Sequence, residues 1–368
     1  MKKLACLVAL CLACAANADT IVDYNVLFAG KKGGAQKTVI GGDGSLQVSY
    51  SHRDNGRGPD IEEEISLAPD STFRSYRQRG RTTFGAVLDE RFSASRGWAS
   101  WRSPADHGKR ELDGAAIYLP TYGSPEVSAI IVRATQKAEG GRLAALPDGE
   151  LRSMKLKEAR IGPAGQERTV ALYAIFGAGL QPDFIWLDAD AGMRLFASIN
   201  VGGSHLVVAG FESQTPELER LQKEAESAYL RDIAKKHAQP FAGPLLIRNV
   251  RVFDTKTTAL GEPADVYVQD GRIAAIYPAN SQAKAAATVI EGAGRALLPG
   301  LFDMHAHEDA WNSLLQVAGG VTTSRDMGTL DNSYLAGLIA YIGRGDAVGP
   351  HIEPAGYIEG ESPYSSRG

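Results

Sequence analysis

Pro299-Gly300-Leu301-Phe302-Asp303-Met304-His305-Ala306-His307 closes a short apolar run with two imidazoles two residues apart. In a strand, side chains at i and i+2 leave the same face about 6.6 Å apart by rise alone, so two tilted rings can close on one cation. His305 and His307 are therefore candidate metal ligands. Read in isolation, a His-x-His pair is more often a surface or core feature of no function. Its surroundings change that reading. Residues 297 to 304 read as one apolar strand apart from Asp303, residues 311 to 317 as a helix and 321 to 324 as a strand. Residues 334 to 342 then read as a helix, and 352 to 358 as a strand interrupted by Pro354 and Gly356. Strand alternating with helix predicts parallel β/α units.

Upstream, residues 245 to 253, 264 to 269, 272 to 276 and Val289-Ile290 read as short strands, with Asp270-Gly271 as a hairpin turn. The segment Gln239-Pro240-Phe241-Ala242-Gly243-Pro244 reads as a domain linker. Before it, Thr215 suits a helix cap and Pro216 the first helical position. Leu218, Leu221, Ala225, Ala228, Tyr229 and Ile233 then recur at helical spacing. From residue 19 the pattern is mostly period-2, as in Leu46-Gln47-Val48-Ser49-Tyr50, with an apolar run over 169 to 176. Turn segments such as Gly41-Gly42-Asp43-Gly44 separate these stretches, which predicts an antiparallel sheet with a helix over 124 to 137 against it. The domain reading is a signal peptide over 1–18, an α+β domain over 19–239, a small β unit over 244–297 and a β/α region over 298–368.

At 368 residues, with 44% hydrophobic and 22% charged residues, the chain is long enough for two or more packed domains. Its net charge is -4, and no basic stripe follows Lys2-Lys3, which argues against nucleic acid as a partner. Lys2-Lys3, the apolar stretch 4 to 15 and Ala16-Asn17-Ala18 have the layout of a secretory leader, which predicts an exported, periplasmic protein. About 12 apolar residues fall short of the roughly 20 that span a bilayer, so no transmembrane helix is expected. Cys6, Cys11 and Cys14 all lie in that leader, so disulfides play no part in the mature chain. Cys14 leaves a lipid-anchored envelope protein as the alternative.

Three ordered motifs carry a family resemblance: residues 247 to 254, residues 268 to 273, and Leu298 through His307. Together they resemble the entry to the amidohydrolase superfamily. Gly320-Val321-Thr322-Thr323-Ser324-Arg325-Asp326-Met327-Gly328 is similar to the second barrel strand and loop of its prolidase-like and imidazolonepropionase-like branch. Residues 349 to 360 resemble the third. The resemblance covers residues 244 to 368, and the preceding part resembles uncharacterised extensions of exported bacterial members. It implies a partial composite β-sandwich, then the first β/α units of a TIM (β/α)8 barrel, with His305 and His307 as ligands of one or two divalent ions, zinc by preference. It further implies a metal-dependent hydrolase acting on a C-N bond, amide or peptide-like, of a small-molecule or short-peptide substrate. The family's later ligands, on its fourth, fifth, sixth and eighth strands, have no counterpart in the sequence. The expectation is therefore an N-terminal fragment with a truncated barrel, inactive as it stands. The alternative is a non-catalytic envelope binding protein with a vestigial barrel start.

Other candidates are set aside. Asp188-Ala189-Asp190-Ala191-Gly192 lacks the twelfth-position glutamate of a calcium loop, Ile199 standing there, and reads as a turn. Trp98 and Trp101 near Phe92 read as packed aromatics. His52, His107, His205 and His237 lack partners at ligand spacing, and Glu359 and Glu361 read as solvated loop carboxylates.

Overall fold

Period-2 alternation before residue 212 builds a single fifteen-stranded sheet in the computed structural model, which describes residues 19 to 356 except 55, 240, 242, 282 to 287, 330 and 331. Strands follow one another outward from Thr20–Phe28 to His107–Glu111, and others return from Ala116–Tyr118 to Ser204–Val208. Thr20–Phe28 and Ser204–Val208 join the two halves as an antiparallel pair, with Tyr24 facing Val208. The strand pair Ala116–Tyr118 and Arg142–Leu146 is parallel. The two edge strands are separated only by residues 112 to 115. A connection that short reaches about 18 Å, whereas a flat sheet of this many strands would hold its edges roughly 67 Å apart. The sheet must therefore curl.

The core follows from that curl. Helix Pro125–Lys137 places Val127, Ile130, Ile131 and Ala134 among Tyr24, Phe73, Tyr76, Phe92 and Leu187. Pro125 opens this helix, while the Ser124 hydroxyl donates to Glu63 at 2.5 Å instead of capping it. Strand Arg168–Phe176 is buried on both faces, which explains its unbroken apolar run. Its Ala171, Tyr173 and Ile175 join the main core, whereas Val170 and Leu172 meet Trp186, Phe196 and Leu218 in a second cluster. Phe92 and Trp101 face each other across paired strands as packed aromatics. Trp98, expected with them, is exposed and carries Lys109 4.7 Å from its ring.

Helix Thr215–His237 differs in detail from its expected form. Thr215 lies inside it and donates its hydroxyl to the Glu212 carbonyl at 2.9 Å, so it does not cap. Ala228 is exposed, and the buried stripe takes in Gln222. Gln222 accepts from Trp186 Nε1 at 3.1 Å and donates to the Ile199 carbonyl at 3.1 Å, satisfying two buried polar groups that an apolar residue would leave unpaired.

The chain divides into two compact units, residues 19 to 226 and 227 to 356. In the second, Leu245–Asp254 pairs antiparallel with Ala259–Gln269, which turns through Asp270-Gly271 into Arg272–Pro278. Asp270 and Gly271 both have positive φ, 51° and 70°, the conformation that a two-residue hairpin demands. Thr288–Glu291 and Ala296–Leu297 pair parallel with the other edge of Leu245–Asp254.

The strand expected over 297 to 304 is split in two. Ala296–Leu297 ends the five-stranded sheet, and Leu301–Ala306 starts a separate sheet beyond Pro299-Gly300. A Cβ at Gly300 would lie 2.0 Å from Thr322 Oγ1, so the close approach of the next strand requires glycine. The new sheet holds Leu301–Ala306, Val321–Asp326 and His351–Pro354, all parallel, connected through helices Ala310–Ala318 and Asn332–Gly343. Among the described residues no helix is long and apolar enough to cross a membrane. The expected leader 1–18 with its cysteines, and Glu359 and Glu361, lie outside the described residues, as do two positions of the 239–244 linker.

Candidate metal centre

Parallel strands bring the loops that follow residues 306 and 326 to one end of their sheet, the end where β/α proteins build sites. His305 sits in the last turn of pleat of Leu301–Ala306, and His307 lies just beyond it. Both are exposed, while Ala306 between them and Glu308 after them are buried. Their ring centroids are 5.7 Å apart with planes at 71°. The Asp303 carboxylate accepts from the His305 backbone N–H at 3.0 Å, holding the strand end. His307 Nδ1 lies 3.2 Å from the Gly328 carbonyl. A carbonyl can only accept, so Nδ1 carries the proton and the Nε2 lone pair is left for a ligand.

Asp326 organises this contact from behind, and the sequence reading assigned it no role. It ends the middle strand, fully buried. Its Oδ1 accepts from the Glu308 N–H at 2.9 Å and the Thr329 hydroxyl at 2.6 Å. Its Oδ2 accepts from the N–H groups of Gly328 and Thr329, each at 3.0 Å. One carboxylate thus ties the loop carrying His307 to the loop whose carbonyl fixes its tautomer. Burial opposes its charge, but these hydrogen bonds outweigh burial and hold the acid below the usual aspartate range. The available signal was a carboxylate at the end of a β-rich run, followed by a glycine; Gly328 adopts φ 126°.

The donor set fits a zinc-type ion in part. Two imidazoles on neighbouring positions, one with its tautomer fixed, suit a cation that prefers nitrogen ligands. Among the described residues, however, no group of three or more His, Cys, Asp or Glu is arranged to hold a metal. Glu308 is buried beside the pair; its Oε2 accepts from the Ser313 hydroxyl at 2.7 Å and its Oε1 has no partner. The remaining histidines lie elsewhere. His205 stands 3.4 Å from Glu219, and His351 hydrogen-bonds Glu353 at 2.8 Å on its own strand. Asp188 accepts from the N–H groups of Asp190 and Ala191 and pairs with Arg168 at 2.7 Å, which makes that segment a turn.

No protein-family model matches the chain. Among curated proteins, adenine deaminase of Chelativorans sp. (strain BNC1) is 38% identical over 79 residues, 22% of this chain and 13% of that protein. Imidazolonepropionase of Mycolicibacterium smegmatis is 45% identical over 62 residues, 17% of this chain and 15% of that protein. The chain thus spans about a seventh of the length of these relatives. Among solved structures, a Xaa-Pro dipeptidase with bound methionine is 22% identical with a TM-score of 0.27, covering 31% of this chain and 34% of the dipeptidase. A β-barrel-like protein of a domain of unknown function from Brucella abortus is 9% identical with a TM-score of 0.28, covering 51% of this chain and 95% of its own. Over about a fifth of its length, the chain is similar in sequence to members of the amidohydrolase superfamily.

Proposed function

We propose that residues 244 to 356 form the opening of a metal-dependent hydrolase site of the amidohydrolase type, acting on an amide or peptide-like C-N bond in an exported protein. The observation that carries this reading is the His305 and His307 pair at the C-terminal end of a parallel strand, with His307 Nδ1 held by the Gly328 carbonyl. In this reading the three parallel strands are the first of a (β/α)8 barrel, and the leader directs the chain to the periplasm. A divalent ion, zinc by preference, would supply Lewis acidity and a bound water acidic enough to ionise near neutral pH. His305 and His307 would hold it as neutral ligands. Asp326 would keep both loops in register, and the Gly328 carbonyl would keep the His307 proton away from the metal-facing nitrogen.

The test has two parts. Zinc titration followed by nitrogen NMR of the imidazoles should shift the ligating nitrogens of both residues. A His305→Ala, His307→Ala variant that binds zinc unchanged overturns the ligand assignment. A panel of dipeptides, N-acyl amides and carboxylic esters, offered to the zinc-loaded full-length gene product, tests the reaction class. Turnover of esters without any C-N substrate would overturn that part alone.

A further inference from the structure

The first unit carries a groove of about 680 Å³ on the outer face of its sheet. It crosses five adjacent strands: Leu46–His52, Asp60–Leu67, Phe73–Arg81, Val87–Ser95 and Trp98–Arg102. Strand register lays two rows of side chains along it. In one, Gln47, Glu64, Arg77, Arg91 and Arg102 face each other in turn across successive strand pairs. In the other, Ser66, Ser75, Ser93 and Ser100 do the same. The residues between these rows, Ile65, Tyr76, Phe92 and Trp101 among them, point the opposite way into the core.

Three arginines side by side are unfavourable for the sheet, because like charges directly opposite destabilise a strand pair. Two residues further along the same strands the arrangement is the reverse. There Lys37, Ser49, Glu62, Arg79 and Asp89 stand in register, and the adjoining charges Glu62, Arg79 and Asp89 alternate in sign. Glu64 faces Arg77 across one strand pair, but within the row Arg91 and Arg102 are flanked by no acidic side chain. Among the described residues Arg91 pairs only with the exposed Asp89, at 3.5 Å. Among the described residues Arg77 and Arg102 have no ion-pair partner, and Arg77 Nε is buried without an acceptor. In a chain of net charge -4 such a row is not a background of basic residues.

Donors dominate the groove. Guanidinium groups present forked N–H pairs that match phosphate oxygens. The serine hydroxyls, two of which already meet at 3.0 Å between Ser93 and Ser100, add further donors alongside. Neighbouring strands are about 4.8 Å apart, so Arg77 and Arg102 stand roughly 10 Å from each other at the backbone with Arg91 between them. That spacing suits several linked anionic groups better than one. We propose that this groove binds a ligand carrying two or more phosphate groups.

Calorimetry on the full chain with inorganic tripolyphosphate, at low ionic strength, tests the proposal. Arg91→Gln with Arg102→Gln should weaken binding about tenfold or more by removing two charge-assisted contacts. Arg79→Gln, in the alternating row, should change it by less than about twofold. The double variant also relieves like-charge contact, so its melting temperature should equal or exceed that of the parent, which separates lost binding from lost folding. A parallel sedimentation arm uses vesicles containing a phosphoinositide bisphosphate, a lipid whose headgroup carries more than one phosphate group. Binding to vesicles but not tripolyphosphate assigns the phosphates to a lipid headgroup, and the converse assigns them to a soluble oligophosphate; either supports the site. No binding in either arm, or equal binding by the double variant, overturns it.

Discussion

The two units use apolar strands in opposite ways. In the first, strand Arg168–Phe176 is covered on both faces, with its Leu172 and the facing Trp186 of the next strand wholly buried. In the second, Leu301–Ala306 lies at the edge of a three-stranded sheet, with Leu301 54%, Phe302 67% and Met304 58% exposed. Both read in sequence as strands that need cover. An apolar run therefore reports what a strand can bury against, while its contribution to stability depends on what actually covers it.

Side-chain truncation sharpens this contrast most strongly. Trp186→Ala should cost about 3 to 5 kcal/mol by leaving a cavity in the second cluster of the first unit, and it also strips Gln222 of its indole partner. Phe302→Ala should cost within about 0.5 kcal/mol, since most of that ring is already in water. Denaturant melts monitored separately in each unit check both. Equal losses at the two positions would break the contrast.

A smaller effect concerns two buried carboxylates with opposite titration. Glu63, in the first unit, accepts from Tyr76, Gln78 and both the N–H and hydroxyl of Ser124, yet burial prevails and raises it above the ordinary glutamate value. Asp326 meets the same two forces, and its hydrogen bonds prevail. For Glu63 the native state binds the proton more tightly than the unfolded chain. Stability is therefore greatest below about pH 4.3 on this group's account and falls as pH rises toward its raised folded value. For Asp326 stability is fully present above about pH 3.9 and is lost as pH falls through its lowered folded value. Hydrogen exchange at the Ser124 amide against that at the Gly328 and Thr329 amides should reveal the two slopes. Glu63→Gln should flatten the first slope. Asp326→Asn should loosen Gly328 and Thr329 by about 2 kcal/mol, because an amide facing those donors leaves buried N–H groups unpaired.

Local chemistry was legible in the sequence, and long-range pairing was not. Asp270-Gly271 announced its hairpin because few other residues accept positive φ at both positions. The His305 and His307 spacing located the candidate site, since strand geometry alone fixes which side chains share a face. Alternation identified Leu46–His52 as a strand but said nothing of the pairing between Thr20–Phe28 and Ser204–Val208, which depends on the whole curled sheet. Asp326 was missed for the same reason: its role rests on Glu308, Gly328 and Thr329, in loops after two different strands. The serine and arginine rows were equally invisible, because each draws single residues from several strands.

The most direct measurement is long-range nitrogen NMR of the imidazoles in the full chain as zinc is added. With only two imidazoles brought together, zinc should bind weakly, shift Nε2 of His307 and a ring nitrogen of His305, and leave the His307 Nδ1 proton on its bond to Gly328. The His305→Ala, His307→Ala variant should lose the response. Zinc binding that leaves both rings unshifted, or that persists undiminished in the double variant, would contradict the assignment of this pair as metal ligands.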